Sequence, residues 1–228
     1  MGRTHVTVGQ WKQLVTATRY VTDGEKKGEA NTTPGPGQKW RPIKGANWQD
    51  PKFGLKLKDN HPVSCISWND AVVFCEWLDQ REQRAGRLPS GYKVRLPTEA
   101  EWEYACRAGQ QTKFWWGESE DGSENRLNCF GPADGFEFLS PADYYGARGR
   151  NKFGLADMLG NMREWCLDGF DQSGAHEDIY KGNTSERVIR SGSFTAYLSF
   201  NRCAFRNGRL NSYSDSCNGF RVAVGPAR

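Results

Sequence analysis

Residues 95–105 read Arg-Leu-Pro-Thr-Glu-Ala-Glu-Trp-Glu-Tyr-Ala. Pro97 has no N–H to give and biases the residue before it towards extended backbone, so it ends whatever precedes it. Thr98 offers a capping oxygen, and Glu101, three residues on, can reach back to the Thr98 N–H. A helix is predicted from here, carrying Trp102, Tyr104, Ala105 and Cys106 and stopping at Gly109. Glu99, Glu101 and Glu103 invite an acid–base reading. At i, i+2 and i+4 they do not share one helical face, and Glu101 is already used by the cap. Solvated or capping roles are the expectation for all three.

Two more starts of the same kind lie upstream. Thr7 and Gln10 form a capping box, followed by Val8, Trp11, Leu14 and Val15 on one face. Ser67-Trp68-Asn69-Asp70 caps a helix whose apolar residues Ala71, Phe74, Cys75 and Leu78 recur at helical spacing, and which runs to about Arg84. The stretch 24–59 is rich in Gly, Pro, Asn and Lys and reads as a long irregular excursion. Residues 110–151 read as loop, and 153–165 as short elements around Leu159-Gly160-Asn161. Val188-Ile189-Arg190 and Phe220 to Val224 read as short strands. Two or three helices, scattered strands and much coil predict a single α+β domain over 1–228, with no internal repeat and no dividing linker.

Composition narrows the function classes. The chain has 228 residues, a net charge of +4 and 25% charged residues, with a mean hydropathy of −0.77. Its apolar runs are far too short to cross a bilayer, so membrane insertion is not expected. Lys and Arg are scattered rather than gathered in a stripe, which argues against nucleic acid as a partner. Nine Trp and 13% aromatic residues predict a core built from rings. Seven Cys contain no C-x-x-C pair, and His5, His61 and His176 are isolated, so no zinc, haem or non-haem iron motif can be assembled. The odd Cys count reads as mainly free thiols, with one bridge allowed for. No signal-peptide pattern follows Met1, and the compartment is left open. Asn31-Thr32-Thr33 and Asn183-Thr184-Ser185 match the glycosylation sequon, a pattern common by chance.

The last quarter of the chain uses a different alphabet. After Glu186 there is no Lys, Glu, Gln, Trp or Met, although these types make up about a quarter of what precedes. Residues 194–218 are dense in Asn, Ser, Tyr, Phe and Arg, the adaptable and aromatic types that binding surfaces favour. A polar surface loop is the plainer alternative.

Four blocks together resemble the formylglycine-generating enzyme (sulfatase-modifying factor) family. They are Pro62-Val63 through Ser67-Trp68-Asn69-Asp70-Ala71 with Cys75 and Trp77; Arg95 to Ala105; Asn151 and Gly154-Leu155 with Met158-Leu159-Gly160-Asn161 and Glu164-Trp165; and Arg187-Val188, Gly192-Ser193, Arg202, Ala204, Arg206 and Gly219-Phe220-Arg221. The resemblance implies a C-type-lectin-like fold. Enzymes of this family hold copper through two cysteines of the C-terminal segment and oxidise a substrate cysteine to formylglycine. Here Ala196 stands where the first cysteine belongs, and residues 195–201 contain none. Copper(I) then lacks its soft ligands, so no catalytic residue is assigned and no cofactor is required. A copper oxidase acting on a peptide cysteine, or a non-catalytic member with a fixed ligand, is the alternative. The related sulfoxide synthases need a three-histidine iron site on an extra domain that this chain lacks. The resemblance also implies that Cys203 faces Cys106.

Within the family, the closest pattern is that of the variable proteins of diversity-generating retroelements, which are bacterial or phage products. Their C-terminal cassette runs from G-S-aromatic through R-x-A-x-R to G-F-R, here Gly192-Ser193-Phe194, Arg202 to Arg206 and Gly219-Phe220-Arg221. Substitutions in such cassettes arise at codons ending in a pyrimidine, which cannot encode the five missing residue types. The implied ligand-binding set is Thr195, Ala196, Tyr197, Leu198, Ser199, Phe200, Asn201, Phe205, Asn207, Arg209, Leu210, Asn211, Ser212, Tyr213 and Asp215. Tyr197, Phe200, Phe205, Arg209, Leu210, Asn211 and Tyr213 are expected to be exposed in one patch. Arg202, Ala204, Arg206, Gly219, Phe220 and Arg221 are expected to be buried or paired. The implied partner is a macromolecule, a protein rather than nucleic acid. Asn161 and Glu164, and Asn125 with Asp134 and Phe136, resemble the family's two calcium sites, with turn-forming roles as the alternative.

Overall fold

The structure is a computed structural model that describes residues 1–33, 39–171 and 185–227. His176 and Asn183-Thr184 fall outside the described residues. The three predicted helices form where their caps place them. Helix α1 (Val8–Thr18) starts at the Thr7–Gln10 box and buries Val8, Trp11 and Leu14. A five-residue helix, α2 (Asp23–Lys27), follows behind a second box of Thr22 and Glu25. One turn is too short for a periodic signal, so only its cap could have revealed it. Helix α3 (Trp68–Arg84) buries Asp70, Ala71, Phe74 and Cys75. Helix α4 (Glu99–Arg107) has the Thr98–Glu101 box at its start and ends on Ala108 in the left-handed region.

The strands are short. β1 (Glu29–Thr32) and β2 (Arg41–Lys44) form an antiparallel pair inside the stretch read as irregular. β3 (Tyr92–Arg95) leads into α4. The main sheet uses β4 (Arg163–Gly169), β5 (Glu186–Arg190), β6 (Arg206–Leu210) and β7 (Asn218–Gly219), in the order β6-β5-β4-β7. The pairs are antiparallel except β4 with β7. The closing strand β8 (Ala223–Pro226) pairs back to β3. The predicted strand at 220–224 therefore begins three residues later, because Phe220 and Arg221 turn inward to the core. The architecture is α+β, as expected.

Rings fill the core. Trp11 stacks on Phe74 at 5.8 Å, and Phe74 meets Phe220 edge-on at 5.4 Å. A second cluster gathers Trp102, Phe114, Met158 and Cys203, and a third Phe53, Met162, Phe194 and Cys217. Among the described residues no helix is long and apolar enough to cross a membrane. All seven cysteines are unbridged.

A buried charge cluster joins the ends of the chain. Both oxygens of Glu164 accept from Arg221, Nε to Oε2 and Nη2 to Oε1, each at 2.7 Å. Oε2 also accepts from Trp102 Nε1 at 2.7 Å, and His5 Nε2 stands 3.0 Å from Oε1. The remaining Arg221 donors go to backbone carbonyls, including Gly2 and Ala156 at 3.0 Å. Burial would raise the Glu164 carboxyl, but Arg221 and His5 outweigh it and hold it at about 2, below its ordinary 4.5. A depressed carboxylate stabilises the fold above its unfolded value and loses that contribution as pH falls. Glu164→Gln leaves the Arg221 charge uncompensated and should cost about 3–5 kcal/mol at neutral pH. Urea unfolding of wild type and variant should converge as pH falls from about 4.5 towards 2, read as a shrinking difference in midpoint.

Candidate functional site

The C-terminal segment leaves β5 at Ser191, which has a φ of 66°, and passes Gly192. A Cβ at Gly192 would lie 2.3 Å from Asn201 Oδ1, so only glycine permits this approach. Asn201 uses it to donate Nδ2 to the carbonyls of Ala196 at 3.0 Å and Tyr197 at 3.2 Å. The loop is thereby closed by its own side chain. Phe194 is buried against Phe53 and Phe138, and the Phe130 N–H donates to the Ala196 carbonyl at 3.0 Å. The chain then enters β6 along β5, an element hidden in the sequence because Arg-Asn-Gly-Arg-Leu has no apolar alternation.

Helix α4 holds this region through charge. Glu99 is buried and accepts from Arg190 Nη1 at 2.6 Å, and from Arg206 Nε and Nη2 at 2.8 and 2.9 Å. Glu103 takes the other Arg190 nitrogen at 2.7 Å. Burial works to raise the Glu99 carboxyl, but the two guanidinium groups outweigh it and lower it. Of the three glutamates expected to be solvated or capping, only Glu101 caps, and it also pairs Arg95 at 2.7 Å. Glu99 and Glu103 instead clamp the C-terminal frame. The paired arginines, 87 to 107 residues away in sequence, gave no local signal.

The frame behaves largely as expected. Arg206, Phe220, Gly219 and Arg221 are paired or buried, and Arg202 donates to the Ser199 carbonyl at 2.6 Å. Ala204 is the exception: it is exposed, on the turn before β6. Cys106 and Cys203 are neighbours, with Sγ atoms 3.5 Å apart.

The expected ligand-binding residues divide. Tyr197 (62%), Phe200 (46%) and Leu210 (49%) are exposed large apolar side chains, and Ser199 and Ser212 are exposed beside them. Thr195, Leu198, Phe205, Asn207, Arg209, Asn211 and Tyr213 are half-buried. Ala196, Asn201 and Asp215 are buried; Asn201 and Asp215 are corrected to structural residues, while Ala196 lines the depression beside Tyr197. Ala196 lies under the loop that Asn201 ties, and Asp215 accepts from the Cys217 N–H at 2.8 Å. The accessible residues border separate depressions rather than one patch. Tyr197, Phe200, Phe205 and Asn207 line a cavity of about 240 Å³ with Arg163. Leu210, Ser212 and Tyr213 face Lys26, Lys27 and Asp23 across another of about 440 Å³. Tyr197 also packs edge-on to Phe130 at 4.8 Å, beside an apolar depression of about 520 Å³ lined by Phe130, Pro132, Phe136 and Phe194.

The expected calcium ligands fit poorly. Glu164 is saturated by Arg221, Trp102 and His5. Asn161 accepts from the Ser140 N–H at 3.1 Å and donates to the Ser140 carbonyl at 3.1 Å, so its amide is a structural brace. Asn125 is exposed and bonds Glu124. Asp134 is buried and accepts from the N–H groups of Cys129 and Phe136 at 2.7 and 2.9 Å. Next to Cys129, Asn128 has a buried Oδ1 with no donor. Among the described residues no group of three or more His, Cys, Asp or Glu is placed to hold a metal.

Short sheets, two principal helices around an aromatic core and a braced C-terminal loop define a C-type-lectin-like domain of the formylglycine-generating-enzyme type. Residues 1–225 match the Sulfatase-modifying factor enzyme 1-like domain, and the chain belongs to that family. It is 32% identical to the formylglycine-generating enzyme of Mus musculus over 96% of this chain and 64% of that one. It is also 32% identical to the inactive C-alpha-formylglycine-generating enzyme 2 of Bos taurus, over 83% and 60%. The chain thus spans somewhat less than two thirds of the length of these curated relatives. PvdO from Pseudomonas aeruginosa superposes with a TM-score of 0.76 at 26% identity, over 99% of this chain and 79% of that one. Treponema denticola variable protein 1 superposes with a TM-score of 0.58 at 22% identity, over 74% and 72%. The family includes enzymes and inactive members.

Face and frame should respond differently to substitution. Replacing Tyr197, Phe200 and Leu210 together by Ser should leave stability within about 1 kcal/mol, since exposed side chains contribute little. Phe220→Ala should cost about 3–5 kcal/mol through the cavity it opens. Arg206→Ala should cost more than the triple variant, because it strips a bidentate partner from buried Glu99. Thermal and urea melts of the three variants check this.

Proposed function

We propose that the protein is a non-catalytic binder. It presents the side chains of 194–218 to a protein ligand, in the manner of a diversity-generating retroelement variable protein. The observation that carries this reading is the exposure of Tyr197, Phe200 and Leu210 on a backbone held by other residues. Aromatic side chains held at the surface act as anchors, and a few of them dominate affinity at protein interfaces. The thiols support the same reading. Ala196 stands where the copper site needs a cysteine, and Cys217 is pushed up to about 12 by burial and by Asp215. With no cysteine in residues 195–201, the soft thiolate pair that copper(I) prefers is not available there.

The reading is tested by selecting binders from a displayed protein library on the wild-type chain. Binders should lose affinity for the Tyr197/Phe200/Leu210 triple variant, and binders indifferent to it would count against the reading. In the gene's neighbourhood, a near-copy of codons 194–218 with adenines at the variable positions, beside a reverse transcriptase, is the genomic counterpart.

The 32% identity to formylglycine-generating enzymes favours a second reading, a copper oxidase acting on a peptide cysteine. Copper(I) titrated in competition with a chromophoric chelator decides between them. The proposal expects the metal to stay with the chelator and a cysteine-containing sulfatase peptide to remain unchanged. Uptake of one equivalent together with peptide oxidation would establish the oxidase.

Of the expected calcium ligands, only Asp134 with the Phe136 backbone stays in the proposal, as a loop brace in which the ion would replace the two N–H groups that the carboxylate now accepts from. Carboxylate and amide oxygens on a loop suit a hard cation. Calcium should raise the melting temperature of wild type and not of Asp134→Asn. An equal response of both would remove the site.

A further inference from the structure

We propose that the cavity bounded by Arg163, Tyr197, Phe200 and Phe205 is a subsite for one acidic side chain of the protein ligand, a glutamate. This rests on reading 194–218 as the ligand face. The cavity is about 240 Å³, below the roughly 300–1,000 Å³ of sites for whole small ligands. It suits a single side chain rather than a cofactor.

Arg163 is the one charged group among the described residues that line it. It projects from β4, and its side chain is 18% exposed. Its Nε is buried and has no hydrogen-bond partner. Its ionic neighbour Asp215 lies 3.8 Å from Nη1, beyond hydrogen-bond distance. Asp215 Oδ1 is already committed to the Cys217 N–H. Arg209, on β6, also acts on that carboxylate through space, so Asp215 is not given over to Arg163 alone. Arg209 directs its Nη1 to Asn207 Oδ1 and the Gly208 carbonyl, and it does not line the cavity. Within the lining, the unfilled charged donor is Arg163 Nε. A buried donor without an acceptor is unfavourable, and a carboxylate fits the guanidinium fork with paired, charge-assisted bonds.

The walls select what carries the carboxylate. Phe200 and Phe205 meet edge-on at 5.6 Å, and Tyr197 stands against Phe130. These rings can cover the two methylenes of a glutamate, while Thr195 and Asn207 supply polar edges. Phosphate or sulfate would meet the same cation but leave the rings without contact.

The test titrates N-acetylglutamate methylamide and its glutamine isostere into the full chain. Binding is followed by NMR at Arg163 Nε–H and at the Tyr197 and Phe200 rings. The glutamate probe should shift all three signals and bind at least about tenfold more tightly than the glutamine probe. Arg163→Gln should abolish that preference. Arg163→Lys, which keeps the charge and the contact with Asp215 but not the fork, should retain part of it. Melting curves confirm that each variant folds. Equal binding of the two probes, or a preference that survives Arg163→Gln, overturns the acidic subsite and leaves the wider binding face standing. Failure of both probes to move Arg163 or the rings also overturns the subsite. The library selection on the triple variant then decides the binding face separately.

Discussion

Glu99 is where the molecule turns a helix into a support for a loop. Its carboxylate lies between Arg190, at the end of β5, and Arg206, at the start of β6. Everything between those arginines is loop, with a single 3-10 turn at Leu198–Phe200. Burying three charges is costly, and such clusters add little net stability compared with apolar packing. What they add is geometry. A bidentate pair fixes angle as well as distance, and Arg190 is further fixed by Glu103, the Cys203 carbonyl and the Trp102 ring at 5.1 Å. The segment therefore leaves and re-enters the sheet at points set by a helix, not by its own residues.

This separates shape from surface. The backbone of 192–206 is held by Asn201, by the Ser199–Arg202 contact, by buried Phe194 and by the clamp at Glu99. The side chains of Tyr197, Phe200 and Leu210 make none of these bonds. Their identity can change while the bonds remain, because side chains with no shared partners contribute independently. Asn201 and Asp215 belong to the support although their residue types suit a binding surface. The same composition covers two roles, and only burial distinguishes them.

How much was legible follows from the range of each interaction. Caps act over three residues, so Thr7, Ser67 and Thr98 announced their helices directly. The frame arginines and the Cys106–Cys203 approach could be expected from family resemblance, and they stand as the resemblance implied, with Ala204 the exception. Long-range partners were not legible. Nothing near Glu99 in sequence points to Arg206, and nothing near Glu164 points to Arg221, so the first was read as solvated and the second as a calcium ligand. Strand β6 carries Gly208 beneath the Phe170 ring, where a Cβ would lie 2.2 Å from that ring. Its strand character comes from pairing with β5 rather than from β-branched residues. Arg163 sits inside a recognised block, and its unfilled donors become visible only once Asp215 is placed.

The Arg221 guanidinium holds the carbonyls of Gly2 and Arg3, the Val6 N–H donates to the Phe220 carbonyl, and β8 pairs with β3. During synthesis the amino-terminal residues emerge first, yet their partners are among the last to be made. The domain cannot close until the stretch beyond residue 218 has left the ribosome. A chain cut short anywhere in 194–218 lacks Phe220, Arg221 and β8 together, so it exposes core rings and strips Glu164 of its guanidinium partner rather than merely shortening a loop. Closure of the fold thus depends on residues 219–226 as much as on the helices: without them β3 and the first residues of the chain have nothing to pair with.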